Sequence, residues 1–356
     1  MNNRVMVAMS GGVDSSAAAV LLQREGYELC GATLRLIDAA GDNTCGSIAD
    51  VEDARQVCAR LGMRHYVFHF TNEFEHEVVC RFADGYARGD TPNPCICCNR
   101  YIKFGRLLAQ AREMGFDHLA TGHFARVEFD GDRGRWLLKK AKDPAKDQTY
   151  VLYSLSQDAL AHSLFPMGEL YKSEGRQLAM ARGLLNAGKP DSQDICFVPD
   201  GDYAGFLKRS RSVESEPGNF VDEQGNVLGR HKGLIHYTVG QRKGLGLSLK
   251  APLYVLRKDI ARNQVVLGPN ERLFSDRLMA GDCNWIAVER LDAPMRVTAK
   301  TRYSQSEAPA VIEDAGESRV AVRFDQPQRA ITPGQAVVFY DGDTVVGGGT
   351  ILPAGE

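Results

Sequence analysis

Over the first two hundred positions, short apolar runs alternate with stretches in which hydrophobic residues recur every three or four places. That alternation predicts strands joined by covering helices. Val5 to Met9 reads as a first strand, followed by the turn Ser10-Gly11-Gly12 and a helix carrying Ala17, Leu21 and Leu22 on one face, stopped at Gly26. Leu29 to Leu36 reads as a second strand, Asp50 to Leu61 as a helix and Tyr66 to Phe70 as a third strand. Ile102 to Met114 is another helix and His118 to Thr121 a fourth strand. The expected architecture is α/β, a doubly wound parallel sheet.

After about Gly205 the helical period fades and Gly, Pro and Asp-Gly turns multiply. Arg319 to Phe324 alternates polar and apolar residues, and Ala336 to Tyr340 runs into Asp341-Gly342-Asp343, a hairpin signal. Two small β-rich domains are therefore expected, with boundaries at 1–205, 206–273 and 274–356.

Composition bounds the function. A chain of 356 residues with 44% hydrophobic content can bury more than one core. The longest apolar stretch near its start, Ala17 to Leu22, fits neither a signal peptide nor a membrane span, so a cytoplasmic protein with no membrane partner is expected. Nine scattered cysteines, at 30, 45, 58, 80, 95, 97, 98, 196 and 283, do not form a secreted disulfide framework. A net charge of −2 leaves any nucleic-acid binding to local basic surface. Two acid-free stretches supply it: Arg100, Lys103, Arg106 and Arg112 in one, and Arg230, Lys232, Arg242, Lys243 and Lys250 in the other.

Ser10-Gly11-Gly12-Val13-Asp14-Ser15-Ser16 lies between strand and helix, where amides and the helix dipole can cradle phosphate oxygens. It has neither the Lys-Ser/Thr ending of a Walker A loop nor the GxGxxG of a dinucleotide fold. Thr91-Pro92-Asn93-Pro94-Cys95-Ile96-Cys97-Cys98 places three thiols before a helix expected to begin near Tyr101. Cys98 is best placed to gain thiolate character from the helix dipole, Arg100 and Lys103. Cys196 stands in the polar loop Asp191-Ser192-Gln193-Asp194-Ile195-Cys196. Cys30, Cys58, Cys80 and Cys283 read as small buried hydrophobes.

The glycine-serine loop resembles that of the ATP pyrophosphatase superfamily. Thr91 to Phe104, Lys189 to Val198 and Gly233 to Gly246 extend the resemblance to the bacterial tRNA-specific 2-thiouridylases. It implies an adenine-nucleotide alpha hydrolase-like sheet with a C-terminal β-barrel, and ATP with Mg²⁺ held by Ala8, Met9, Ser10, Gly11, Gly12, Val13, Asp14, Ser15, Leu34 and Gly122. Cys98 is implied as nucleophile and Cys196 as persulfide carrier, the two closing as a disulfide after transfer. Contacts to tRNA are implied for Asn93, Pro94, Cys95, His123, Lys146, Asp147, Gln148, Arg302, Tyr303 and Gln335. Sulfur would come from a persulfide donor, a cysteine desulfurase or a relay protein.

One position departs from the family pattern, which commonly has aspartate where this chain has Cys95. Cys95, Cys98 and Cys196 could then supply three thiolates to a four-iron iron–sulfur cluster that carries sulfide, an alternative to the persulfide route. Two further readings differ in class. A small-molecule ATP pyrophosphatase ligase would keep the loop without needing the cysteines, and a non-enzymatic sulfur relay would keep the cysteines without the loop.

Overall fold

The computed structural model describes residues 3–37, 46–189, 195–198, 200–211, 215–248 and 251–353; Cys45, Lys250 and the polar stretch 190–194 lie outside them. Strands β1 (Arg4–Ala8), β2 (Glu28–Arg35), β3 (Arg64–His69), β4 (His118–Ala120), β5 (Arg126–Asp130), β6 (Arg135–Lys139) and β7 (Ser163–Leu164) belong to the first module. Five of them form a parallel sheet in the order β3-β2-β1-β4-β7. The chain runs outward from β1 through β2 to β3, then resumes beside β1 with β4. The order reverses between β1 and β4, where open α/β sheets leave a ligand crevice at the carboxyl ends of the strands.

Helices α1 (Val13–Arg24) and α2 (Ile48–Arg60) cover one face, packing Val13, Val20, Val57 and Cys58 with Val5 and Val7 of β1. The opposite face buries Met6 and Leu119 under Phe74, Phe82 and Phe104, from helical segments over residues 71–87 and 94–113. Buried strands read as continuous apolar runs because both faces are covered.

Four strands make the second module: β8 (Gly218–Val221), β9 (Val227–His231), β10 (Tyr254–Asp259) and β11 (Gln264–Gly268), ordered β10-β11-β8-β9 around Phe220, Leu234, Tyr237 and Val265. The last six strands are β12 (Phe274–Trp285), β13 (Met295–Lys300), β14 (Ala308–Gly316), β15 (Arg319–Arg329), β16 (Ala336–Asp341) and β17 (Thr344–Ile351). They pair antiparallel, and β12 meets β17 to close a six-stranded barrel as expected. Along β15, Val320, Val322 and Phe324 turn inward, following the alternation in the sequence. The hairpin at Gly342 is present, with Gly342 at φ 59°.

The barrel is not a separate bead. The hairpin β5–β6 of the first module joins its sheet, with Lys139 opposite Thr344. Asn284 Nδ2 donates to the carbonyls of Tyr153 and Leu155 at 2.7 and 2.9 Å, and Tyr150 OH donates to Ala336 O at 2.8 Å. This hairpin was not expected from the sequence, because its core-facing residues are completed by a partner strand more than 200 positions away.

Candidate active site

The loop after β1 is drawn into a tight crown by its own hydroxyls. Ser10 Oγ accepts from Gly12 N at 3.3 Å, Ser15 Oγ donates to Gly12 O at 3.2 Å, and Ser16 Oγ donates to the same carbonyl at 2.9 Å. No side chain caps α1 at Gly12, so the positive end of the helix faces the crevice. Gly11 needs its φ of 73°, and a Cβ there would stand 2.7 Å from Asp50 O. From beneath, Met9 N donates to Ala32 O at 2.8 Å and Thr33 Oγ1 to Met9 O at 2.8 Å, tying the loop to β2.

Two residues that carry no sequence motif complete the loop. Lys172 Nζ donates to both carboxylate oxygens of Asp14, at 2.6 and 2.7 Å. Asn186, only 3% exposed, donates through Nδ2 to Gly11 O, Gly12 O and Ser16 Oγ at 3.0, 3.1 and 2.8 Å. It thereby fixes the carbonyl side of the loop. Neither could be found from the sequence, since each lies more than 150 residues from its partners and has no distinctive neighbours.

Gly122, expected at the adenosine, lies directly against the loop: a Cβ would stand 2.5 Å from Ser15 N and 2.6 Å from Asp14 C. Leu34 is half-buried near the end of β2, in contact with the main core. His123, the next residue after Gly122, sits 2.6 Å from Thr121 Oγ1 through Nδ1 and 3.5 Å from Lys103 Nζ through Nε2, with Phe104 and Phe165 around its ring. Burial, and secondarily Lys103, holds its pKa well below 6.5, so the ring is neutral. Thus one short segment touches the nucleotide loop with Gly122 and the cysteine helix with His123.

That helix begins earlier than the sequence suggested. Asn93 is its N-cap, accepting from Cys95 N at 3.1 Å, and Pro94 occupies the first turn. Residues 98–107 then wind in wide π-type turns before Leu108–Glu113 closes as α-helix. Expecting the start near Tyr101 was wrong, because a capping Asn followed by Pro outweighs the poor helix propensity of three cysteines. It is therefore the exposed Cys95, not Cys98, that lies in the first turn where the dipole acts. Cys98 is a turn further on, half-buried against the main core.

The cations expected to help Cys98 are engaged elsewhere. Arg100 pairs with Asp282 of β12 at 2.9 Å, and Lys103 faces His123. Arg106 lies 3.6 Å from Glu73, and Arg112 3.2 Å from Asp158. The three arginines of the first acid-free stretch thus meet acids from other elements, a pairing that local counting cannot see, and Lys103 keeps only His123 beside it. The second differs: Arg230, Lys232, Arg242 and Lys243 are exposed and make no ion pair among the described residues.

Cys196 is half-buried and packs, like Cys98, on the main core. Its neighbour Phe197 anchors it edge-on to Phe74 and Phe82, at 5.7 and 5.3 Å between ring centroids. Among the described residues no three His, Cys, Asp or Glu side chains come together as a metal site. Burial pushes the thiols of Cys30 and Cys283 up to about 12 and Cys58 to about 11, in keeping with inert packing.

The residues expected to meet RNA divide into two groups. Tyr303 is 44% exposed, with its ring 6.0 Å from that of Tyr150 and within electrostatic reach of Asp147, Lys146 and Cys95. Cys95 is exposed beside Asn93 and Pro94 at the helix start, and Lys146 is part-exposed in a turn closed on Asp143 O. The others face inward. Asp147 accepts from Ala141 N and Thr149 Oγ1 at 3.0 and 2.6 Å, and Gln148 Oε1 accepts from Phe124 N at 2.9 Å. Arg302 Nη2 donates to Val239 O, Ala330 O and Thr332 Oγ1 at 3.0, 2.8 and 2.6 Å, clamping the second module to the barrel. Gln335 Nε2 donates to Thr91 O at 2.5 Å.

Family models match each part of the chain. One described as a tRNA methyl transferase HUP domain covers residues 3–200, a tRNA methyl transferase PRC-barrel domain 204–269, and an aminomethyltransferase beta-barrel domain 275–351. A tRNA-specific 2-thiouridylase of Acetivibrio thermocellus is 51% identical over 98% of this chain and 99% of its own, and one of Clostridioides difficile 48% identical over 99% and 98%. A 4-thiouridine synthetase solved with RNA and bound ATP overlaps 55% of this chain and 45% of its own at 18% identity and a TM-score of 0.38, too loose a likeness to inform the site. With near full-length identity of this order, and a glycine-serine loop in the crevice of a parallel sheet, the chain belongs to the tRNA-specific 2-thiouridylase family.

Proposed function

We propose that this chain is a cytoplasmic tRNA-uridine 2-sulfurtransferase that adenylates the C2 oxygen of the wobble uridine and replaces it with sulfur from a cysteine persulfide. The observation that carries the reading is the segment Gly122-His123, which touches the nucleotide loop on one side and the cysteine helix on the other. Activation and sulfur chemistry would then share one crevice.

In this reading the uridine O2 attacks the α-phosphorus of ATP and pyrophosphate departs. The amides of Ser10 to Ser15 stabilise the leaving group. Asp14 would help hold the Mg²⁺ that accompanies the phosphates, and the ion would offset their charge. The terminal sulfur of a Cys196 persulfide attacks C2, and AMP leaves with the former O2. Cys98 thiolate then attacks the Cys196 sulfur, forming a Cys98–Cys196 disulfide and releasing the thiocarbonyl of 2-thiouridine. An external dithiol reduces the disulfide, and a persulfide donor reloads Cys196.

RNA would approach over Tyr303, Lys146 and Asn93 to Cys95, with Arg230, Lys232, Arg242 and Lys243 taking phosphates. A wobble uridine stands in a single-stranded loop and can be turned out without breaking a duplex. Behind that face, His123, Asp147, Gln148, Arg302 and Gln335 would shape the pocket. Among the described residues no helix is long and apolar enough to cross a membrane.

A persulfide-fed assay with ATP and tRNA tests the proposal. Cys196→Ser should still release pyrophosphate in the presence of tRNA while making no 2-thiouridine. Full thiolation by that variant would refute the assignment, and pyrophosphate release indifferent to tRNA would favour a small-molecule ligase instead.

A further inference from the structure

The four residues leading into the cysteine helix, 90–93, are gripped by all three modules. Within the first module, Pro92 packs on Gly85, where a Cβ would stand 2.8 Å from Pro92 Cγ. From the second, Lys258 Nζ donates to Asp90 O at 3.4 Å, and Ile260 Cδ1 fills the space beside Gly89. The barrel contributes most. Thr91 N donates to Pro333 O at 2.9 Å, and Gln335 Nε2 returns a bond to Thr91 O at 2.5 Å, so Thr91 is paired on both its backbone polar groups. Gly334 at φ 83° allows the close approach, since a Cβ there would stand 2.6 Å from Asp90 Cβ and 2.9 Å from Thr91 N. Gln335 is itself rooted in the barrel through Ile351 N, which donates to Gln335 O at 2.8 Å.

Two residues beyond Thr91 stands Asn93, whose side chain caps the helix by accepting from Cys95 N, and Cys98 follows one turn later. A shift of Thr91 therefore moves the cap, and with it the first turn of the helix. We propose that Gln335 is a positioning residue for the thiol centre: through Thr91 and Asn93 it fixes where Cys98 is presented, and so makes the C-terminal barrel part of the active site. This assigns the Gln335 amide an intramolecular role in the chain without RNA, beside the RNA contact expected from its family. The inference rests on Cys98 being a reacting thiol, but its test reads Cys98 directly.

The measurement is the rate of Cys98 alkylation by iodoacetamide in the full chain without ATP or tRNA, resolved by peptide mass spectrometry, with circular dichroism confirming the fold. Gln335→Glu keeps the shape but cannot donate to Thr91 O, and should raise the rate about fivefold, the population ratio expected from losing one neutral hydrogen bond. Gln335→Ala should do the same, whereas Gln335→Lys, which restores a donor, should return the rate to within about twofold of the parent. Gly334→Ala, which pushes the barrel off Asp90, should reproduce the Glu result by an independent route. If Glu and Ala leave Cys98 alkylation unchanged, or Lys behaves like Ala, the positioning role is wrong. Unchanged alkylation with weakened tRNA binding would make Gln335 an RNA contact. If the parent makes no 2-thiouridine, the proposed function fails while the alkylation test still stands.

Discussion

Lys172 closes on Asp14 with both carboxylate oxygens within 2.7 Å, across 158 residues of sequence and at the mouth of the nucleotide loop. In the proposed reaction the pair holds a carboxylate beside the polyphosphate. Lys172 is nearly buried, so its charge is poorly screened and offsets the repulsion between Asp14 and the phosphates. Lys172→Met should therefore raise the KM for ATP by about tenfold, roughly 1.4 kcal/mol, with a smaller effect on kcat. Initial rates over an ATP series at saturating tRNA decide it, and an unchanged KM would show that the lysine serves only the fold.

Gly122→Ala places a methyl where Ser15 N and Asp14 now stand. The loop must move, since the approaching atoms are backbone and cannot rotate away. ATP affinity measured by calorimetry should fall by more than about tenfold while circular dichroism stays that of the parent, because overpacking at one turn costs typically ~1–3 kcal/mol. Parent-like affinity would mean that Gly122 is not pressed against the loop in solution.

Arg302 and Tyr303 are neighbours with opposite fates. Arg302 is engaged with Val239, Ala330 and Thr332, whereas Tyr303 is open to solvent. Arg302→Ala should destabilise the chain by ~2–4 kcal/mol, seen as a lower Tm, since three acceptors lose a charged donor. Tyr303→Ala should leave Tm in place and weaken tRNA binding by ~1–3 kcal/mol, the worth of one stacked base. The reverse pattern in thermal melts and filter binding would exchange their roles.

His123 gives a pH signature. Its folded pKa lies well below 6.5, so below that pH the unfolded chain takes a proton that the folded chain refuses. The stability it contributes is complete above 6.5 and is lost as pH falls from there toward the depressed value, at a limiting ~1.4 kcal/mol per pH unit. His123→Asn, which keeps a partner for Thr121, should show a shallower fall in Tm between pH 7.5 and 5. Parallel curves for parent and variant would contradict the neutral ring.

The chain alone determined the parts that depend on local rules. Strand and helix periods gave the doubly wound sheet, because burial on both faces leaves unbroken apolar runs. Strict alternation at Arg319 to Phe324 and the Asp-Gly turn gave strands and a hairpin of a β-rich domain, whereas the barrel was implied by the family resemblance. The loop Ser10 to Ser16 and the cysteines were legible as motifs, since their chemistry needs fixed spacing along the backbone.

What only the tertiary structure decided is which charges and amides meet. It paired Arg100, Arg106 and Arg112 with Asp282, Glu73 and Asp158, and turned Arg302 inward. It also brought Lys172 and Asn186 to the loop and the barrel to Thr91. Hydrogen bonds and ion pairs act over about 3 Å in space regardless of separation along the chain. Periodicity reports which face of an element is buried and is silent on its partner.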